Sequence, residues 1–394
     1  MRLKYGADYI WPAGKTALWV KGGKPVNDVT RRSGIMSSEF TATSPEFSST
    51  FIRGWEECRK ALTAGDLGSD PHVAGVVKES GDNLLLLNGD LNHRLRHIVV
   101  PYMVQRARLD RVKAEITELA SALSASLPSR PEVDLITDLA EPIALAGIIS
   151  AMEIPVTRRS SVADLTRGML GILESGRPLS VRRKAARCAL RIALMFERDA
   201  ASGTAVGLHA ALEEAAQEGL ISRKFSRSTS VIVLHGGYEN PRSQLGSVIS
   251  WAVEHAAEFR EAALSNPAAL LEEITRLSSP VRLVARWPQR EGESREVPPQ
   301  GAERVWIDLE SANHDERYFP ALVNLDSAKR PQHLSFGYGQ HACPGRTLAT
   351  IQGQVLIEAL LKLPPDFLCE FSTEWHEGVV SRAPAKIARR RTAG

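Results

Sequence analysis

Residues 334–349, LSFGYGQHACPGRTLA, set Gly337, Gly339, His341, Cys343 and Gly345 at alternate positions just ahead of a segment with helical character, RTLATIQGQVLIEALL. That pattern makes a tight loop that delivers one cysteine to a helix N-terminus. There the helix dipole and unpaired backbone N–H groups favour a thiolate, as a metal-bound sulfur requires. Pro344 has no N–H, so Gly345 and its successors are the expected donors to sulfur. Two alternatives are a buried cysteine in an unrelated turn and a zinc site using His341 and Cys343; the second lacks further ligands at suitable spacing.

A second stretch carries chemistry of another kind. VIVLHGGYENPRS, residues 231–243, opens a helical run in which Leu245, Val248, Ile249, Ala252 and Val253 form one apolar stripe. Each glycine costs a helix interior up to about 1 kcal/mol against alanine, and proline about 3 kcal/mol. Such residues are tolerated where backbone must approach something closely. Pro241 also deletes the N–H that would bond the carbonyl of Gly237, so a break in the helix is expected here.

The elements that position these stretches are mostly helical. Helical periodicity runs through 106–127, 133–152, 181–199, 205–219, 225–256, 267–277 and 347–362. Strand-like pieces fall near 15–21, 281–287 and 303–309 and after Phe367, with EVPPQGAE marking a turn. Asn266 and Pro267 read as an N-cap and a first helical residue. No repeat or linker interrupts the 394 residues, and a single α-rich domain over 1–394 is expected.

Composition is that of an ordinary globular chain, 43% hydrophobic and 24% charged. With a net charge of +3 and no long block of like charge, nucleic acid is not suggested as a partner. No signal peptide or apolar run of membrane-spanning length is read, so a cytoplasmic chain with no membrane partner is expected. Cys58, Cys188 and Cys369 read as small apolar residues of helix or strand, with no disulfides.

The loop resembles the haem-binding loop of the cytochrome P-450 family, Phe-Gly-x-Gly-x-His-x-Cys-x-Gly, matched at Phe336, Gly337, Gly339, His341, Cys343 and Gly345. The resemblance covers roughly residues 85–365 and is weakest before residue 85 and between 155 and 225. It implies a mainly α, cytochrome P-450 fold with small β-sheets, and haem b (iron protoporphyrin IX) ligated by Cys343 between loop 334–349 and a distal helix at about 225–256. Glu273 and Arg276 match the family's Glu-x-x-Arg helix, with Arg330 as third partner, and Arg286 stands where an arginine meets a haem propionate. In DLNHRLRH, His93 fits a second propionate partner, while the position four residues on is His97 instead of arginine, leaving His97 or Arg96 for that role. His314 likewise stands where arginine is usual.

The same resemblance gives GGYEN a meaning. Gly236 and Gly237 let the backbone approach the open side of the iron, Glu239 takes the place of the family's acid, and Asn240 replaces its threonine. That threonine's hydroxyl, with the acid, delivers protons to dioxygen; an amide relays a proton less readily. The implied activity is a monooxygenase acting on a small organic molecule in specialised metabolism, with electrons from a ferredoxin and its reductase, the enzyme being a monomer. The alternative is haem-thiolate chemistry without the usual oxygen activation, such as nitrene transfer, N–O cleavage, dehydration, cyclisation or isomerisation. His235 reads as a core histidine bonded to a neighbouring carbonyl, or as a distal iron ligand. Arg94, Arg106, Arg108 and Arg346 are candidates for steering an acidic ferredoxin.

Overall fold

Each helical period read from the sequence becomes a helix, and among the described residues five further helices of weaker pattern lie before or between them. The computed structural model describes residues 50–69, 83–174, 178–288, 305–319, 331–378 and 380–390. The expected strand at 15–21 and Arg330 lie outside the described residues. In chain order come β1 (Thr50–Ile52), α1 (Trp55–Thr63), β2 (Leu67–Ser69), α2 (Gly89–Val104) and α3 (Arg106–Ser126). A π-turn, Ile136–Ala140, leads into α4 (Glu141–Ala151), followed by α5 (Val156–Gly168), α6 (Leu179–Ala201), α7 (Gly207–Gln217) and α8 (Arg223–Glu254). Then come α9 (Ala256–Ser265), α10 (Pro267–Ser278), β3 (Leu283–Pro288), β4 (Val305–Asp308), α11 (Leu309–Asn313), α12 (Arg346–Leu361), β5 (Phe371–Glu377) and β6 (Arg382–Arg389).

The apolar stripe of α8 faces the core as expected, with Leu245, Val248, Ile249 and Ala252 fully buried. Around it pack α4, α6, α7, α10, α12 and β6. Helix α4 is buried nearly all round, through Ile143, Ala144, Ile148, Ile149 and Ala151, which is why its sequence shows little amphipathy. Burying each such large aliphatic side chain contributes about 1.5–3 kcal/mol. Proline does not end α8: the helix runs on through Pro241, and just beyond it α8 is tied to α4 and α10. Arg242 donates to Glu141 at 2.7 Å and Gln244 donates to Thr275 at 2.8 Å. Among the described residues no helix is long and apolar enough to cross a membrane.

Two small sheets complete the frame. One has the order β1-β4-β3-β2, with β1 parallel to β4 and the other pairs antiparallel; β5 and β6 form a separate hairpin. The β2–β3 register sets Arg286 opposite Ser69. The Asn266 cap forms as read, its side chain accepting from the Ala269 amide at 3.1 Å.

Helix α10 anchors the cysteine loop. Glu273 and Arg276 are both buried and paired, and Arg276 also donates to the Asn313 carbonyl with its guanidinium over Phe319, 4.9 Å from the ring centre. Asn313 in turn donates to Ser335 at 2.8 Å and accepts from the Leu334 amide at 2.6 Å. A pair that looks like solvated surface at three-residue spacing is therefore the root of a buried network that fixes where the loop begins. His314, in the arginine-like position, is turned back on its own helix, its Nδ1 2.8 Å from the Glu310 carbonyl.

Candidate functional site

The loop is built by its glycines. Gly337 and Gly339 have φ of +66° and +70°, a region that penalises any side chain, and a Cβ at Gly339 would stand 2.8 Å from the Leu62 carbonyl oxygen. The chain then turns through Gly339–His341, and the Cys343 amide donates to the Phe336 carbonyl at 2.8 Å. Phe336 also takes the guanidinium of Arg346 at 5.4 Å. Arg346 and His333 both bond Glu272 Oε2, at 3.1 and 3.0 Å, which ties the two ends of the loop to α10. Gly345 has an ordinary φ of −90°; its part is its amide, which donates to Cys343 Sγ together with the Arg346 amide.

Cys343 is solvent-accessible yet densely surrounded by protein, the condition of a group on the wall of a recess. Burial pushes its thiol pKa up, against those two amides and the positive charges of Arg96 and Arg346. The helix N-terminus does not by itself offset the desolvation of this sulfur. The other cysteines differ. Cys58 is buried, bonds the Ile52 and Asp308 carbonyls at 3.3 and 3.4 Å, and is pushed up to about 12 by burial. Cys188 is half-buried, and Cys369, expected to be a small buried residue, lies in the short 3-10 helix Phe367–Glu370 but is exposed.

Beside the cysteine lies a cluster of two arginines and a histidine with no carboxylate partner among the described residues. Arg286 is 7% exposed and has no ion-pair partner among the described residues; its one bond is to the Ala285 carbonyl at 2.9 Å. Burial lowers its pKa to about 10. Arg96 donates to the Ala342 carbonyl at 2.9 Å, and burial lowers its pKa too. His341 Nε2 lies 3.0 Å from Asn88 Oδ1 and 3.2 Å from Ser69 Oγ; burial, then the charges of Arg286 and Arg96, hold it down to about 3. The Asn88 amide nitrogen is buried without a partner. Unpaired buried cations are costly unless an anion meets them. This set fits a group bearing carboxylates. Asn88 and Ser69, which hold His341, carry no signal in the sequence; the β2–β3 register brings Ser69 there.

His93 and His97 are exposed on α2, one turn apart, and make no hydrogen bond among the described residues. Among the described residues no three or more His, Cys, Asp or Glu side chains converge on a possible metal site, so the zinc alternative has no ligand set.

Across α8 the glycines divide. A Cβ on Gly236 would meet nothing within 4 Å, whereas one on Gly237 would fall 2.3 Å from Ile148 Cδ1 of α4. Only the first opens space; the second is a helix-packing glycine, which corrects the reading that both let the backbone approach a ligand. Asn240, one turn beyond Gly236 on the same face, is exposed and makes no hydrogen bond among the described residues. His235 is 2% exposed, and its Nε2 lies 3.0 Å from Glu239 Oε2. Its partner is thus a carboxylate rather than a carbonyl, and its ring is turned to that acid rather than outward as a distal ligand would be. Glu239 Oε1 also accepts from the Gly171 amide at 3.1 Å, linking α8 to the turn after α5.

No family model matches the chain. Among curated relatives, it is 26% identical to the polyketide biosynthesis cytochrome P-450 PksS of Bacillus subtilis over 321 residues, 79% of this chain and 78% of that one. It is 28% identical to cytochrome P-450 107B1 of Saccharopolyspora erythraea over 329 residues, again 79% and 78%. Of solved structures, that of P-450 BioI in complex with hexadec-9Z-enoic acid ligated acyl carrier protein superposes with a TM-score of 0.72 at 18% identity, covering 86% of this chain and 91% of that one. CalO2 superposes with a TM-score of 0.73 at 21% identity, covering 86% and 89%. Relatives of one kind aligned over most of their length, and one fold shared with solved structures, lead to the conclusion that this chain has the cytochrome P-450 fold and is similar in sequence to enzymes of that family.

Proposed function

We propose that the chain is a haem-thiolate monooxygenase of a biosynthetic pathway, acting on a small organic molecule of the polyketide or acyl-chain class. The observation that carries this reading is the recess holding Cys343 Sγ under two amides, beside buried Arg286 and half-buried Arg96 and His341, with no acid among the described residues to meet them. Cys343 would hold the iron of haem b, and Arg286, Arg96, His341 and one or both of His93 and His97 would hold its propionates. When bound, the group supplies one-electron and oxygen chemistry at iron. The Gly345 and Arg346 amides stabilise negative charge on Cys343 Sγ, as an anionic ligand needs. The open side of Gly236 leaves room for substrate, and Asn240 presents an amide donor to that space. His235 Nε2 and Glu239 Oε2 stand 3.0 Å apart beside this space. The names of relatives such as PksS and the mycinamicin IV hydroxylase/epoxidase of Micromonospora griseorubida support the substrate class.

The reading includes one domain over 1–394, a cytoplasmic monomer, and electrons from a ferredoxin and its reductase. Of the four arginines considered for steering, Arg106, Arg108 and Arg346 are paired with Asp110, Glu153 and Glu272, and Arg94 donates to the Leu220 carbonyl. Arg94 is therefore the strongest of them for an acidic donor.

Asn240 favours a second reading, haem-thiolate chemistry that bypasses oxygen activation. The test is product formation by purified protein from acyl or polyketide substrates, with and without NADPH, ferredoxin, reductase and dioxygen. Strict dependence on all four supports the monooxygenase; turnover without them supports the second reading. A protein that takes up no haem overturns both.

A further inference from the structure

Helix α6 carries a charge pattern found on no part of the site described above. Its inward face, Ala185, Ala189, Ile192 and Phe196, is buried against the body. On the outward face Arg183, Arg187, Leu190, Arg191, Leu194 and Arg198 recur at three- and four-residue spacing, and all are exposed, Leu190 by 57% and Leu194 by 41%. None of these arginines has an ion-pair partner among the described residues. The acids that α6 does carry are used elsewhere: Glu197 pairs with Arg227 at 2.6 Å and Asp199 with Arg158 at 2.7 Å. The result is an apolar pair rimmed by uncompensated positive charge, the anatomy of a protein-binding patch with a small apolar centre and a charged rim.

We infer that this face of α6 docks an acidic helical protein that presents the substrate, a carrier protein bearing an acyl thioester. The occupant follows from charge complementarity and from place. Helix α6 packs on α5, α7 and α8, and the turn after α5 is held by Glu239 of α8, so a partner seated on α6 is on the α8 side. The Cys343 loop packs instead against α1, α2 and α10. A substrate donor belongs near the first, an electron donor near the second. A lipid surface is disfavoured because an interfacial helix lays a broad apolar face into the membrane, whereas the apolar face of α6 is already buried. This inference rests on the proposed acyl or polyketide substrate class.

The experiment measures binding of palmitoyl-loaded bacterial acyl carrier protein to the haem-loaded enzyme, with a ferredoxin and anionic phospholipid vesicles as parallel probes. In R183E/R187E/R191E the carrier protein should bind about tenfold or more weakly, and raised salt should weaken wild-type binding in the same direction. L190S/L194S should weaken carrier binding without changing its salt dependence. Both variants should keep the reduced carbon-monoxide spectrum and the spectral response to free palmitate, which report the fold and the enzyme reading separately. Carrier binding that is absent in the wild type, or unchanged in both variants, overturns the inference; so does selective loss of ferredoxin or vesicle binding. Loss of the palmitate response in the wild type counts against the substrate class itself.

Discussion

The cysteine loop and the Gly236–Asn240 segment of α8 both answer to the cytochrome P-450 pattern, yet the loop keeps that pattern while α8 departs from it. The loop is constrained at every step by geometry. Two glycines have positive φ, a backbone oxygen leaves no room at Gly339, and Asn313 and Glu272 pin it to α11 and α10. The α8 segment is constrained on one side only. Gly237 fits against Ile148 and Glu239 faces His235 and Gly171, while Gly236 and Asn240 face open space. Where backbone geometry and ligand chemistry coincide, substitution is excluded; where a face is open, residue type is set by the reaction.

The largest effect expected from that contrast is on the sulfur. Cys343→Ser should abolish the thiolate-type reduced carbon-monoxide band completely, as read by absorbance difference. Replacing Cys188 or Cys369 should leave the band intact, and Cys58→Ala should too, at a stability cost of about 1 kcal/mol for its lost packing and bonds. A band that survives in Cys343→Ser removes the loop from the comparison.

Next in size is Arg286→Met. A buried guanidinium with no acid among the described residues is a burden to the haem-free chain and an anchor once a propionate is present. Haem affinity should fall by about 30-fold or more, equivalent to about 2–5 kcal/mol for a buried charge pair. The melting temperature of the haem-free protein should stay level or rise. A fall in both would mark Arg286 as purely structural.

His341 gives the pH dependence. Its pKa is held down to about 3 from an ordinary 6.5, by burial first and then by Arg286 and Arg96. The unfolded chain therefore binds the proton more readily, and stability from this group is fully present above about 6.5 and lost as pH falls towards about 3. Denaturant unfolding of the haem-free protein from pH 7 to pH 4 should show this slope, and His341→Asn should flatten it. An unchanged slope would place the acid sensitivity elsewhere.

The two glycines of α8 provide a smaller and sharper comparison. Gly237→Ala drives a methyl into Ile148 and should destabilise by about 1–3 kcal/mol. Gly236→Ala meets nothing and should be neutral or stabilising by up to about 1 kcal/mol, while altering the spectral response to substrates. Thermal melts and ligand titrations of the pair separate a packing glycine from a pocket glycine; identical behaviour would dissolve the distinction.

Much of this was legible from residues alone. The seven helical periods and the loop were readable because apolar spacing and glycine-rich turns are local properties of the chain. Helix α5 was not, because only Val162 and Thr166 of it are buried, too few to write a stripe. The different jobs of Gly236 and Gly237 were equally hidden, since only the packing of α4 decides which of two adjacent glycines has a neighbour. Ser69 and Asn88 were invisible for the same reason: a bond across 272 residues, as from Ser69 to His341, has no sequence period. Pro241 misled, because the penalty of proline is local while the bonds that hold α8 just beyond it are tertiary.

The smallest expected effect is the most informative about the reaction. Asn240→Thr places a hydroxyl, which both donates and accepts, where an amide now stands on the open face. A threonine costs little helix propensity against asparagine, so stability should change by less than about 0.5 kcal/mol. If the enzyme is a monooxygenase limited by proton delivery, the fraction of NADPH consumption that appears as product should rise by about twofold or more, with substrate affinity unchanged; proton relays of this kind contribute at least that much. If the amide serves a reaction without oxygen activation, the same substitution should lower redox-independent turnover and leave coupling flat. Glu239 discriminates further, because its carboxylate is held between His235 and the Gly171 amide. In Glu239→Gln the gain from Asn240→Thr should vanish if acid and hydroxyl act in series, and persist if the hydroxyl draws its proton from solvent on the open face.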